Sequence, residues 1–223
     1  MQDLRRFLSI LEEGPANPTA VFNPWRDSDE RDRSPRRATP KSRRENLEAY
    51  IGARRLTARV VLMGEAPSHR GCRFSGIAFC SETEFAKKAD LVARHPLLPT
   101  SRDWGTKPQR ERSAAVIWDE MARAGNAYEV VLWNAFPWHP HASGNPMTNR
   151  RPRNAEVAEG REALRALLDC FTHRLEIFAV GKVAQDAIAT WPEVENAGYI
   201  RHPSMGGEAR FREGFRTLVA ARR

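Results

Sequence analysis

Cysteine is scarce in this chain: Cys72, Cys80 and Cys170 are the only ones in 223 residues. An odd, widely spaced set builds neither a disulfide framework nor a zinc site. An iron–sulfur cluster held by four thiolates cannot be completed from three. All three read as free thiols. Long apolar runs are missing too, and none approaches the ~20 residues that a bilayer crossing needs. The N-terminus has no apolar segment behind a basic start. A cytoplasmic protein without a membrane partner is therefore expected. The sequence also has no Gly-x-Gly-x-x-Gly and no Walker lysine loop, which argues against a nucleotide-binding α/β protein. His139 and His141 stand close in sequence but have no clear third ligand. No metal and no cofactor are expected.

What is abundant is arginine. The net charge is +8 and the isoelectric point is near 10, with arginine contributing more than lysine. Such a field attracts polyanions, and guanidinium groups suit bidentate phosphate contacts. With 41% hydrophobic residues, the length fits one globular domain carrying an irregular arm. Residues 1–45 are expected as that arm and 46–223 as the catalytic body.

Along the chain, Leu4, Phe7, Leu8 and Leu11 recur at helical spacing, predicting an amphipathic helix over 1–13 that Gly14-Pro15 ends. Phe22-Asn23-Pro24-Trp25 is an aromatic turn suited to stapling the arm to the body. Residues 26–45, dense in Arg, Asp, Ser and Pro, read as a partly mobile loop, either a solvated arm or a grip on flanking duplex, with a modest electrostatic contribution expected. Helices are expected over 44–55, 81–94 (capped by Ser81), 113–125 (capped by Ser113), 154–170, 183–190 and 212–221. Short apolar runs at 60–63, 130–133, 175–180 and 198–201 read as strands. Strands alternating with helices imply a three-layer α/β/α sandwich around a central four-stranded parallel sheet. The Pro- and Arg-containing stretch 95–112 is a long loop of the length that is usually functional or disordered.

Each expected strand runs into a polar cluster: Gly64-Glu65, Asn134, Gly181-Lys182, and His202-Pro203-Ser204. In a parallel sheet the strand C-termini share one edge, and open α/β sheets bind ligands in the crevice there. An acid, an amide, an aromatic ring (Phe79) and an imidazole would face one another across it. Taken singly, each has an ordinary alternative: a turn-forming Asn, a surface His, a solvated Lys.

These segments resemble, in order, the motifs of the uracil-DNA glycosylase superfamily. GEAPSHRGCRFSGIAF is similar to its first motif, a Gly-acid-Pro loop ending in the pocket phenylalanine. LWNAFPW is similar to the strand with the base-reading asparagine. VGKVAQ resembles the phosphate-contacting turn, and HPSMGGEAR the His-Pro-Ser motif. The resemblance covers about residues 59–217. It implies a monofunctional enzyme that hydrolyses uracil from DNA, leaving an abasic site and free uracil. The base would be flipped into a pocket. Phe79 would stack on it, and Asn134 would read O4 and N3–H, its amide orientation locked by neighbours. The backbone at Gly64 and Ala66 would touch the base. His202 would donate to O2 as charge develops, and Glu65 would orient the attacking water. Ser68, Ser81, Gly181, Lys182, Ser204, Met205, Gly206 and Arg210 are implied at the DNA, with Met205 the nearest candidate for the wedge that fills the vacated stack.

The departures are Ala66 where many relatives carry aspartate, Ser68 where some place a thymine-excluding tyrosine, and Gly206 at the wedge position. The excess of arginine fits a DNA partner, and a monomer is expected. Two alternatives stay open: a module that binds damaged or abasic DNA with little turnover, and a glycosylase for hypoxanthine or xanthine.

Overall fold

The computed structural model describes residues 2–15 and 19–222. Met1, where the expected first helix begins, part of the arm (16–18) and Arg223 lie outside the described residues. The elements in chain order are α1 (Gln2–Glu13), β1 (Val21–Phe22), a 3-10 turn (Arg36–Ala38), α2 (Thr39–Arg54), β2 (Val60–Gly64), α3 (Cys72–Ser75), α4 (Glu82–Val92), α5 (Arg112–Ala124), β3 (Val130–Asn134), β4 (His139–Pro140), α6 (Asn154–Asp169), β5 (Glu176–Val180), α7 (Lys182–Ala189), β6 (Asn196–Ile200) and α8 (Glu208–Ala220). Among the described residues no helix is long and apolar enough to cross a membrane.

The four expected strands form one parallel sheet in the order β3-β2-β5-β6. β2 and β3 are buried along their whole length, which is why both read as continuous apolar runs rather than alternating ones. The chain leaves β2 toward β3 on one side, then returns across it to β5. Right-handed crossovers put the intervening helices on opposite faces. α1 packs on α6 over one face and α5 on α8 over the other. The reversal of direction lies between β2 and β5, the place where such sheets open a crevice.

β3 is an edge strand, and α2 covers it. The Tyr50 hydroxyl accepts the Leu132 N–H at 2.8 Å, and Arg54 donates to the Val130 carbonyl at 2.9 Å. These bonds satisfy backbone groups that an open edge would leave exposed.

The arm differs from the expectation. Up to residue 35 the stretch 26–45 is loop, and 33–38 are exposed, but within it Asp32 and Arg43 are buried and paired, and Arg73 joins them. Helix α2 starts at Thr39, five residues before the expected start, with Pro40 in its first turn, where the missing N–H costs nothing. Apolar content failed as a guide because the burial here is of paired charge, not hydrocarbon. The aromatic turn does staple the arm: Trp25 is 1% exposed and donates to the Gly76 carbonyl at 3.2 Å, and β1 pairs with β4. The stretch 95–112 is likewise tied down. Buried Glu82 accepts the N–H groups of Thr100 (2.9 Å), Ser101 (2.8 Å) and Gln109 (3.1 Å). Ser113 does not cap the next helix; Glu111 stands at that position.

Candidate active site

The floor of the site is Gly64, the last residue of β2, registered beside Asn134, the last of β3. The ladder continues past the strands, with Ala135 N–H donating to the Gly64 carbonyl (2.8 Å) and Phe136 N–H to that of Glu65 (3.0 Å). A Cβ at Gly64 would fall 2.1 Å from the Phe79 ring and 3.2 Å from Asn134 Oδ1. Only glycine lets the aromatic ring and the amide meet there. Phe79 itself is held at φ 49, a left-handed conformation that costs a bulky residue on the order of 1–3 kcal/mol. Buried Trp118 donates to its carbonyl at 2.9 Å and fixes that geometry.

His202 arrives from the end of β6. Its ring centroid lies 5.7 Å from that of Phe79, and Gly181 backs its Cβ. The Ser204 N–H points at Nδ1 from 3.1 Å, and the Ser204 hydroxyl lies 2.7 Å from the same nitrogen. A backbone N–H can only donate, so Nδ1 accepts and the proton sits on Nε2. Burial, with the Arg201 charge beside it, lowers the His202 pKa to about 4. The ring is therefore a neutral Nε2–H donor at physiological pH.

Glu65, Phe79 and His202 line one cleft of about 330 Å³, together with Ala66 and Ser68. Burial raises the Glu65 pKa above its usual value, opposed only by the Arg151 charge. Asn134 is 2% exposed, and its side-chain oxygen lies beside Gly64 and the Phe79 ring.

The implied DNA contacts divide. Met205 is 91% exposed at φ 51, and Gly206 follows at φ 73, so an apolar side chain stands out at the tip of the His202 loop. Arg210 is exposed on α8. Lys182, at the start of α7, is exposed but paired with Asp186 at 2.9 Å on its own helix. Two residues are placed otherwise than expected. Ser81 is fully buried, its hydroxyl donating to Glu84 at 2.6 Å in a capping box; its cap role holds but its hydroxyl cannot reach a phosphate. Ser68 Oγ is sealed from solvent and meets no partner of regular hydrogen-bond geometry. His139 is no metal ligand either, since its two ring nitrogens lie 2.9 and 3.0 Å from the carbonyls of Pro67 and Pro146.

His69 and Glu111 are among the cleft residues not singled out from the sequence, whereas Asn149, also in the lining, stood in a stretch read as either DNA-binding or helix-capping. His69 is held by Asn149 Oδ1 through its N–H at 2.9 Å. Glu111 sits in a run of arginines, where an acid reads as solvated. Gly71 was the available signal, because its bare Cα is where Glu111 packs.

A family model, uracil DNA glycosylase superfamily, matches residues 51–219. The chain belongs to that superfamily, and it is accordingly a DNA glycosylase, a hydrolase whose substrate is DNA. The solved structure titled wild-type Pedobacter heparinus SMUG2 is similar in fold, with a TM-score of 0.67 at 13% identity, covering 98% of this chain and 97% of that one. No curated protein matches the chain.

Proposed function

We propose that this glycosylase releases uracil from DNA by simple hydrolysis. What carries the reading is the place of the Asn134 amide, at the end of β3 beside Gly64 and the Phe79 ring. A carboxamide offers a donor and an acceptor side by side, matching O4 and N3–H of uracil. A wrong base would leave these groups buried and unpaired, which discriminates strongly.

In this reading the flipped base lies on Phe79. The C1′–N1 bond breaks with its electron pair moving into the base, and the sugar becomes oxocarbenium-like. The Nε2–H of His202 donates to O2, where negative charge gathers. A neutral donor aimed at developing charge contributes about 3 kcal/mol. Glu65, ionised, orients a water toward C1′, steadies the cation and accepts the water's proton. The products are uracil anion, later protonated by solvent, and an abasic site. Met205 enters the stack that the base leaves. Arg210 and the N–H groups at Gly181-Lys182 contact phosphate oxygens, and Ser204, whose hydroxyl faces Nδ1, orients His202. The arm, tied in by Arg43 and Trp25, works as part of the catalytic body.

One observation favours a second reading. Hypoxanthine and xanthine present a carbonyl and a ring N–H, O6 and N1–H, in the same order as O4 and N3–H of uracil, so the same amide would serve another deaminated base, whereas its reversed orientation would suit cytosine. The test is release of free base from oligonucleotides containing uracil, thymine, hypoxanthine, xanthine or cytosine, with Asn134→Ala alongside. Uracil release that falls by about 100-fold or more in the variant is expected. Tight binding of uracil DNA without release would make the protein a binding module instead.

A further inference from the structure

We infer that the arm and the 95–112 loop together form a second DNA-contacting surface, a track of cations that holds the duplex leaving the cleft on the β3 side. The inference needs the DNA substrate of a glycosylase and no particular base. The track runs from Arg110 at the cleft through Lys107 and Arg102 to Arg33, Arg36 and Arg37, all of them exposed.

Its place follows from helix α2. Arg54, at the end of α2, meets Val130 at the start of β3, and Tyr50, one turn earlier, meets Leu132. The helix therefore runs against β3, and its start points toward the edge where Asn134 stands. From Tyr50 back to Thr39 is about 16 Å of helix. Leu132 is only about 7 Å from Asn134 along the strand. The 3-10 turn that precedes α2 is thus carried past the end of β3, to the level at which the cleft opens. Contact with the cleft loop agrees with this, since Arg43 of α2 packs on Gly76, three residues before Phe79. The opposite edge strand is β6, which delivers His202 and Met205. It lies about 14 Å away across the sheet. The arm and the Met205 loop therefore flank the cleft from two sides.

The track is held rigidly to the cleft wall. Asp32 bridges to Ser101. Beside that bridge the Arg33 N–H donates to the Thr100 carbonyl at 2.8 Å, and the Arg102 N–H to the Arg31 carbonyl at 2.7 Å. The Glu82 carboxylate accepts the N–H groups of both Ser101 and Gln109, which joins this seam to Arg110. Glu30 and Asp103 are the exposed acids along it. They lie 3.4 Å from Arg31 and 3.6 Å from Arg102. Arg33, Arg36, Arg37, Lys107 and Arg110 are ion-paired to none of the described residues. A fixed row of unneutralised guanidinium groups beside a DNA cleft matches the phosphates of a duplex, which it can take bidentately.

The experiment measures binding to duplexes that carry a tetrahydrofuran abasic-site analogue, with the flank lengthened on one side or on the other. The variant is the triple change Arg33→Ala, Arg36→Ala and Arg37→Ala. It is expected to bind more weakly when one flank is long, and as wild type does when only the other is long or both are short. On the long flank the slope of log K against log salt should fall by about 2–3, one phosphate contact for each arginine. The melting temperature should stay at the wild-type value. A variant that keeps the wild-type slope on both long flanks overturns the inference. Equal losses on short and long duplexes also overturn it, because these cations would then act at the cleft itself. So does the same loss on a single strand of equal length, which would make the occupant single-stranded. Wild type that releases no uracil overturns the functional reading above, while the one-sided binding loss still decides this inference.

Discussion

Two clusters of buried polar groups sit on this fold, and they are constructed in opposite ways. Between the arm and α3, Asp29, Asp32, Arg43 and Arg73 form an ion-paired set, although Arg73 Nε is left without a hydrogen-bond partner. Arg43 pairs with Asp32 and also donates to the carbonyls of Pro24 (3.2 Å) and Asp27 (3.0 Å) and to Thr100 Oγ1 (3.2 Å), while Arg73 bridges both acids. Burial lowers the Arg43 pKa to about 10, which leaves it charged at neutral pH. In the cleft the polar groups are left open. Glu65 and Glu111 are raised by burial, His202 is lowered by it, and Ser68 Oγ has no hydrogen-bond partner. Paired burial stabilises one geometry. Unpaired burial stores reactivity, and perturbed groups gathered in a cleft mark a functional site.

The contrast can be broken most sharply at Glu65. Glu65→Gln should lower single-turnover base release by about 10³-fold, as loss of a positioned acid–base group does, while the melting temperature and DNA binding stay near wild type. A large loss of stability instead would place Glu65 with the structural cluster. Arg43→Met is the mirror experiment. It takes from buried Asp32 its nearer cation, leaving only Arg73, and should destabilise by about 3–5 kcal/mol, read as the denaturation midpoint. Chemistry per folded molecule should hold.

His202 gives the next effect. His202→Ala should cost about 10²–10³-fold in base release, and pH should sharpen the assignment. The ring ionises near 4 when folded and near its ordinary 6.5 when unfolded. The unfolded chain therefore binds the extra proton first, and this stabilising contribution is present above 6.5 and lost as pH falls from there toward about 4. In activity, an acid limb set by Glu65 should lie above the ordinary carboxylate value, with no histidine limb between pH 6 and pH 8 in kcat/KM. A limb near 6.5 that vanishes in His202→Ala would mean the imidazole works as its cation. The smallest effect is expected at Arg210. Arg210→Ala should weaken DNA binding about equally across sequences and reduce the salt dependence by roughly one phosphate contact.

The same contrast explains what was readable beforehand. Val60–Met63 and Val130–Trp133 announce strands because both faces are covered, and the residue after each run is placed at the sheet edge by chain direction alone. Glu65, Asn134 and His202 were legible for that reason. The capping of α4 by Ser81 was legible as local chemistry, but its burial was not, because burial depends on tertiary packing around the capping box. Arg43 and Asp32 were misread as solvated because a charge carries no sign of its partner when that partner is distant in sequence. Arg43 meets Thr100, and Asp32 meets Arg73, across long stretches of chain.

Local order and strand direction, both short-range properties of the chain, set the parallel sheet, its order of motifs and the edge where they converge. Tertiary packing alone decided which charges were paired and which were left open, since desolvation depends on everything that surrounds a group and not on its neighbours in sequence. Glu111 is the clearest case: among arginines in the chain, it is an acid without a cation once Gly71 and Ser68 close around it.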